Sequence, residues 1–155
     1  PQDFIPMSLE GNHRAGFEAV KSSAETGIHL MLYQQRDCKV ILHTHSKADT
    51  LISRVYHAAK QIELEGYELL KGLRDIDTHE SQTIVPIFDN DQDISRLSGE
   101  MKRWLEQHPD CQGLLIERHG FYCWGRDLAE AKRHLEVFQF LFDQELEWLK
   151  LSALK

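Results

Sequence analysis

The segment His43-Thr44-His45 carries the first chemistry in this chain. On a strand, residues i and i+2 point to the same face. Two imidazoles therefore leave one short stretch side by side, while Thr44 turns the other way. Neutral imidazole nitrogens in that arrangement suit Zn2+, Fe2+, Ni2+ or Cu2+, and a catalytic metal site needs a third protein ligand and an open position. The same motif also fits two ordinary histidines near a strand end. His119 is the first candidate for the third ligand. It follows the apolar run Leu114-Leu115-Ile116 and precedes Gly120, which lets backbone approach a site closely. His79, just before a strand, is the runner-up, and His29 lies on a helix that could face the same cleft. His13, His57, His108 and His134 have polar or helix-surface settings and read as ordinary histidines.

A metal acting on a ketone needs a base for the proton on the neighbouring carbon. Glu68 stands in Gly66-Tyr67-Glu68-Leu69-Leu70, among apolar neighbours. Partial burial there would raise its pKa, as a general acid/base requires. Glu25 opens the helix that leads into the histidine strand and is a second carboxylate to weigh; either residue also fits a solvated helix position. Ser22 and Ser23 could donate hydrogen bonds to a phosphate or simply start that helix. Nothing supports nucleophilic catalysis: there is no GxSxG, no P-loop and no dinucleotide-type glycine motif. Cys123, between Tyr122 and Trp124, reads as a packed thiol.

Alternating strands and helices must position these groups. The opening residues, with Pro1, Pro6, Gly11, Asn12 and Gly16, read as loop with at most one short strand. A short helix is predicted over 25–35 and a buried strand over 39–45. A helix follows over 49–60, then a short strand at 62–64 and a short helix over 67–73. The strand over 83–87 contains Pro86, which predicts an edge or a bend. An amphipathic helix covers 91–107, with Ile94, Leu97, Met101 and Trp104 on one face, and Pro109 stops it. Two strands, 113–117 and 121–124, flank His119-Gly120. Asp127 and Glu130 form a candidate capping box, and the last helix turns Leu128, Ala131, Leu135, Phe138, Phe142, Leu146 and Leu149 inward. Its Phe140 and Trp148 add apolar residues on another face, which fits subunit packing and equally a helix buried within one domain. The pattern predicts one mixed α/β domain over 1–155, with a loop-rich opening over 1–20.

Composition narrows the function classes. The 155 residues are 41% hydrophobic and 28% charged, the profile of a folded chain with a core. A net charge of −7 argues against nucleic acid and anionic membrane as partners. No apolar run approaches the ~18 residues of a spanning helix, and the opening does not read as a basic-then-apolar leader. The three cysteines are odd in number and lack CxxC spacing, which predicts no disulfide framework and a reducing, cytoplasmic setting.

Five segments then occur in order: His43-Thr44-His45-Ser46-Lys47, Gly66-Tyr67-Glu68-Leu69-Leu70-Lys71-Gly72, Thr78-His79-Glu80-Ser81, the run from Val85 to Ile94, and Arg118-His119-Gly120-Phe121-Tyr122-Cys123-Trp124-Gly125. Together they resemble the methylthioribulose-1-phosphate dehydratase family of the class II (zinc) aldolase superfamily, from about Ser22 onward. The resemblance implies a three-layer α/β/α sandwich around a mainly antiparallel sheet, in a ring-shaped homotetramer with sites between subunits. It implies one zinc per subunit held by His43, His45 and His119, with Glu68 as catalytic acid/base. Glu25 matches the acid/base carboxylate of aldolase relatives, and Ser23 a phosphate-contacting position. The implied reaction is dehydration of 5-methylthioribulose 1-phosphate to the 2,3-diketo-5-methylthiopentyl 1-phosphate in methionine salvage. The alternatives are an aldolase or 4-epimerase acting on another ketose phosphate, or a non-enzymatic interaction protein that retains the fold. Members of the family carry a further N-terminal stretch that helps to hold phosphate. The chain begins at Pro1, so the expectation is that this part of the cradle is not in it.

Overall fold

The computed structural model describes residues 4–154; Pro1, counted above in the opening loop, lies outside the described residues. Up to Ser23 the chain is turns and loop, with one bridge between Met7 and His13. The elements that follow are α1 (Thr26–Gln35), β1 (Val40–Thr44), α2 (Lys47–Tyr56), β2 (Gln61–Glu65), β3 (Gln82–Phe88), α3 (Ile94–Gln107), β4 (Gly113–Ile116), β5 (Gly120–Gly125) and α4 (Leu128–Ser152). A short 3-10 turn continues α2, and another, Glu68–Gly72, lies between β2 and β3.

The five strands form one sheet in the order β1-β5-β4-β3-β2. All pairs are antiparallel except β3 with β4. The period-2 alternation assigns each strand residue to one of two cores. Phe121 and Cys123 of β5, Leu115 of β4, and Val85 and Ile87 of β3 pack under α2 and α4 with Ile52, Phe138 and Phe142. Tyr122 and Trp124, with Leu114, Ile116 and Ile41, pack under α1 and α3 with Ile28, Leu32, Leu97 and Met101. Helices on both faces of a mainly antiparallel sheet make the α/β/α sandwich expected from the sequence.

Polar side chains set the helix starts. Ser46 and Asp49 form a reciprocal capping box on α2, Asp93 caps α3 and Asp127 caps α4. The expected box at Asp127 is only half made. Glu130 bonds the Arg126 backbone N–H instead, together with the Arg126 and Arg74 guanidinium groups.

Three local expectations fail. Pro86 sits in an interior strand, not at an edge. Ile87 donates its N–H toward the β2 side, to Lys60, so Pro86 faces β4, whose pairing with β3 begins only at Ile87. The missing donor thus falls where no ladder bond is required. Leu128, expected inward, is exposed as the first residue of α4, while Glu130 and Ala131 of the same turn are buried. His134, read as a surface histidine, is fully buried on the inner side of α4, with Nδ1 2.8 Å from the Trp124 carbonyl.

Candidate metal centre

His43 and His45 leave the C-terminal end of β1, at the edge of the sheet. The turn between β4 and β5 brings His119 to the same end, because Ile116 pairs with Gly120 and Thr44 with Phe121. Arg118 in that turn has φ 54, a left-handed conformation that compresses the reversal. Glu25 arrives from the residue just before α1. One ligand atom from each of Glu25, His43, His45 and His119 lies within 4.8 Å of the others. The His43 and His45 Nε2 atoms are 2.7 Å apart. Glu25 places one carboxylate oxygen 2.7 Å from His119 Nε2 and the other 3.4 Å from His43 Nε2.

Gly120 permits this closure. A Cβ there would stand 2.3 Å from the Thr44 carbonyl oxygen, 2.6 Å from His45 Cδ2 and 2.7 Å from His43 Cε1. Thr44 turns to the opposite face, as strand alternation requires. Its hydroxyl donates to Asp49, a fully buried carboxylate that also accepts from the Ser46 backbone. The capping box of α2 therefore tethers the strand end that carries both imidazoles.

The donor set fits a divalent cation. His43 Nδ1 is 3.0 Å from the Phe121 carbonyl. A carbonyl only accepts, so Nδ1 carries the proton and Nε2 keeps its lone pair toward the other ligands. Burial holds the His43 imidazole below its ordinary pKa, against the opposing pull of the Phe121 carbonyl and Glu25, and this favours the neutral, ligating form. Three imidazoles and one carboxylate match the preference of zinc and its neighbours for nitrogen and oxygen donors.

The other sequence candidates distribute unevenly. Glu25, weighed only as acid/base, stands within the ligand group; the signal for this was its location one residue ahead of the helix that feeds the histidine strand. Glu68 does not join the group. It lies after β2, the edge strand opposite β1, with its side chain 75% exposed. Its carboxyl is held below the ordinary range by a hydrogen bond from Lys71, the reverse of the expected shift. The apolar neighbours Leu70 and Leu73 turn into the core and leave Glu68 outside. His79 stands beside Glu68, 3.7 Å away, not beside the group of Glu25, His43, His45 and His119. Ser23 is exposed, and its hydroxyl accepts from the Glu25 backbone, the role of a helix-start residue. His29 meets Tyr122 edge-on at 5.4 Å, one ring removed from His43.

Sequence reasoning missed a second group at this end of the sheet. His57 Nε2 lies 2.6 Å from Asp89 and 3.5 Å from Glu117, and Lys60 contacts Asp89 and His57. These residues come from three separate stretches, His57 with Lys60, Asp89 and Glu117, and no spacing rule connects the three.

The family model "Class II Aldolase and Adducin N-terminal domain" matches residues 1–146. The chain belongs to that family. A class II aldolase-family relative from Marinobacter nauticus, named methylthioribulose-1-phosphate dehydratase, is 47% identical over 166 residues, covering 96% of this chain and 80% of that protein. One of the same name from Pseudomonas paraeruginosa is 49% identical over 151 residues, covering 97% and 72%. Among solved structures, an L-fuculose 1-phosphate aldolase superposes with a TM-score of 0.71 at 18% identity, covering 94% of this chain. This chain spans 61% of that one. The identity is low enough that this last likeness concerns the class II aldolase fold alone.

Proposed function

We propose that this protein is a methylthioribulose-1-phosphate dehydratase, a metal-dependent lyase of methionine salvage that takes 5-methylthioribulose 1-phosphate to its 2,3-diketo phosphate product. The observation that carries the reading is the convergence of Glu25, His43, His45 and His119, in a chain whose relatives at 45–49% identity bear that enzyme's name. Zinc is the proposed metal, held by His43, His45 and His119. When bound, it supplies the Lewis acidity that lowers the barrier to deprotonation beside a ketone.

The side chains manage the protons. A carboxylate takes the proton from the carbon next to the ketone, the hydroxyl on the following carbon departs as water, and the resulting enol becomes the second ketone. Glu68 is the proposed acid/base. Because it lies across the sheet from the ligand group, it serves the metal centre of a neighbouring subunit, with sites lying between subunits of a homotetramer. The exposed Phe140 and Trp148 of α4 support an assembly of that kind. Glu25 supports a second reading, in which it handles the proton itself, because its carboxylate already faces the ligand imidazoles. Ser23, near the start of α1, is a proposed phosphate contact. The free thiols of Cys38, Cys111 and Cys123 support a reducing, cytoplasmic setting.

Purified protein incubated with 5-methylthioribulose 1-phosphate should yield a diketone, followed by its near-ultraviolet absorbance. Smaller carbonyl fragments would instead point to an aldolase. Glu68→Gln should keep its metal and lose turnover. Full activity in that variant, with loss in Glu25→Gln, would move the acid/base role to Glu25.

A further inference from the structure

The three ligand imidazoles are not held alike. His43 Nδ1 is bonded to the Phe121 carbonyl, whereas no such Nδ1 bond to backbone is found for His45 or His119 among the described residues. The next residue of β5, Tyr122, is the cross-strand partner of His43. Its ring lies flat against the imidazole, with centroids 3.8 Å apart and planes 14° from parallel. The strand thus grips one ligand twice, by the carbonyl of Phe121 in the ring plane and by the phenol face of Tyr122 across it. The Nδ1 bond fixes the tautomer and the direction of Nε2 but leaves the ring free to rock about that bond. A flat stack removes the rocking.

The phenol oxygen shows that the ring is what matters. Tyr122 is fully buried, and among the described residues its hydroxyl has no hydrogen-bond partner. A buried unpaired hydroxyl is a cost to the fold. A phenylalanine would avoid that cost and keep the stack.

Resting on the metal-centre reading above, we propose that Tyr122 is a positioning residue of that centre: its ring face, not its hydroxyl, locks the plane of His43 and makes His43 the anchored ligand on which the set closes. Residues that orient a metal ligand through a second contact typically govern affinity by about 10–100-fold. Tyr122→Met keeps an apolar side chain of similar length but removes the flat face.

The test uses Co2+ as probe, with affinity read by chelator competition and coordination geometry by the visible absorption bands. Tyr122→Phe should match the wild type in both. Tyr122→Met should bind Co2+ at least ~10-fold more weakly, with altered bands. Trp124→Met, a neighbouring core aromatic that touches no ligand, controls for lost packing and should leave the bands unchanged. Equal affinity and bands in Tyr122→Met and wild type would overturn the proposal, as would a Tyr122→Phe as impaired as Tyr122→Met. A wild type that binds no Co2+ would instead overturn the metal-centre reading. A further measurement needs no variant fold. In the metal-free protein, the His43 ring protons should be shifted upfield by the phenol ring current relative to those of His45, and the absence of that shift would also defeat the stack.

Discussion

At one end of the sheet stand two groups of imidazole and carboxylate, joined by the turn from Glu117 to His119. In both, the ligand atoms lie within 4.8 Å of each other. Their surroundings differ. Around Glu25, His43, His45 and His119, the described ion pairs of the carboxylate are to imidazoles alone. The backbone of β5 and the Gly120 turn press these rings together. Around His57, Asp89 and Glu117, the Lys60 ammonium already contacts Asp89 and lies 3.0 Å from His57 Nε2. The Asp89 side chain there is 64% exposed. An internal cation, the Lys60 ammonium, serves the second group, whereas the first leaves convergent lone pairs that a proton or a metal must neutralise. Ligand type and spacing are therefore poor guides to a metal site unless the local charge balance is known.

The largest expected effect breaks the comparison at its base. His45→Ala should lose metal by at least ~100-fold in affinity, the upper end of what even indirect contacts produce. His57→Ala should purify with wild-type metal content. Elemental analysis of both proteins checks this, and metal loss in His57→Ala alone would reverse the roles of the two groups.

Gly120→Ala comes next. Its Cβ would collide with the Thr44 carbonyl, a backbone atom that cannot step aside, as well as with both imidazoles. A destabilisation of ~1–3 kcal/mol is expected, together with loss of metal, read by denaturant unfolding and metal titration. Gly66→Ala is the contrast. No atom of the described residues lies within 4 Å of its Cβ position, so the strain of its φ of 76 is what opposes the change, and metal binding should survive.

Acidity sharpens the difference further. Burial lowers the folded-state pKa of His43, and likewise of His29 and His134, from an unfolded value of about 6.5. The unfolded chain then binds more protons below that value. The stability of the metal-free protein is complete above about pH 6.5 and falls as pH drops toward the folded values. Asp89 is depressed instead by Lys60 and then His57. Its contribution is present above about pH 3.9 and is lost only below that. Thermal unfolding across pH 7 to 3 should therefore show His43→Gln flattening the upper part of the decline and Asp89→Asn affecting only the lower part.

The smallest effect belongs to Lys60→Met. Exposed ion pairs contribute below ~1 kcal/mol, so the unfolding midpoint in denaturant should move little and metal content at the other group should not change.

Much of the site was legible because it is written locally. Strand alternation placed His43 and His45 on one face and Thr44 on the other, and the glycine after His119 marked a close approach. The two-core assignment of Phe121, Tyr122, Cys123 and Trp124 follows from the same period of two. What was not legible depends on neighbours far along the chain. Glu68 looked buried from its apolar flanks, yet only Leu70 among the adjacent leucines turns into the core, while Leu69 and Glu68 stay outside. Pro86 predicted an edge or a bend, and strand order gave it an interior strand in which its missing N–H meets no ladder partner. His134 looked like a surface residue until α4 laid it against the Trp124 carbonyl. Sequence alone determined which residues share a face, because the backbone period is a property of each segment. Only the tertiary structure decided which faces meet, which carboxylate joins the histidines and which group already holds a cation, because those outcomes depend on the order of strand pairing and on charges brought together from distant stretches.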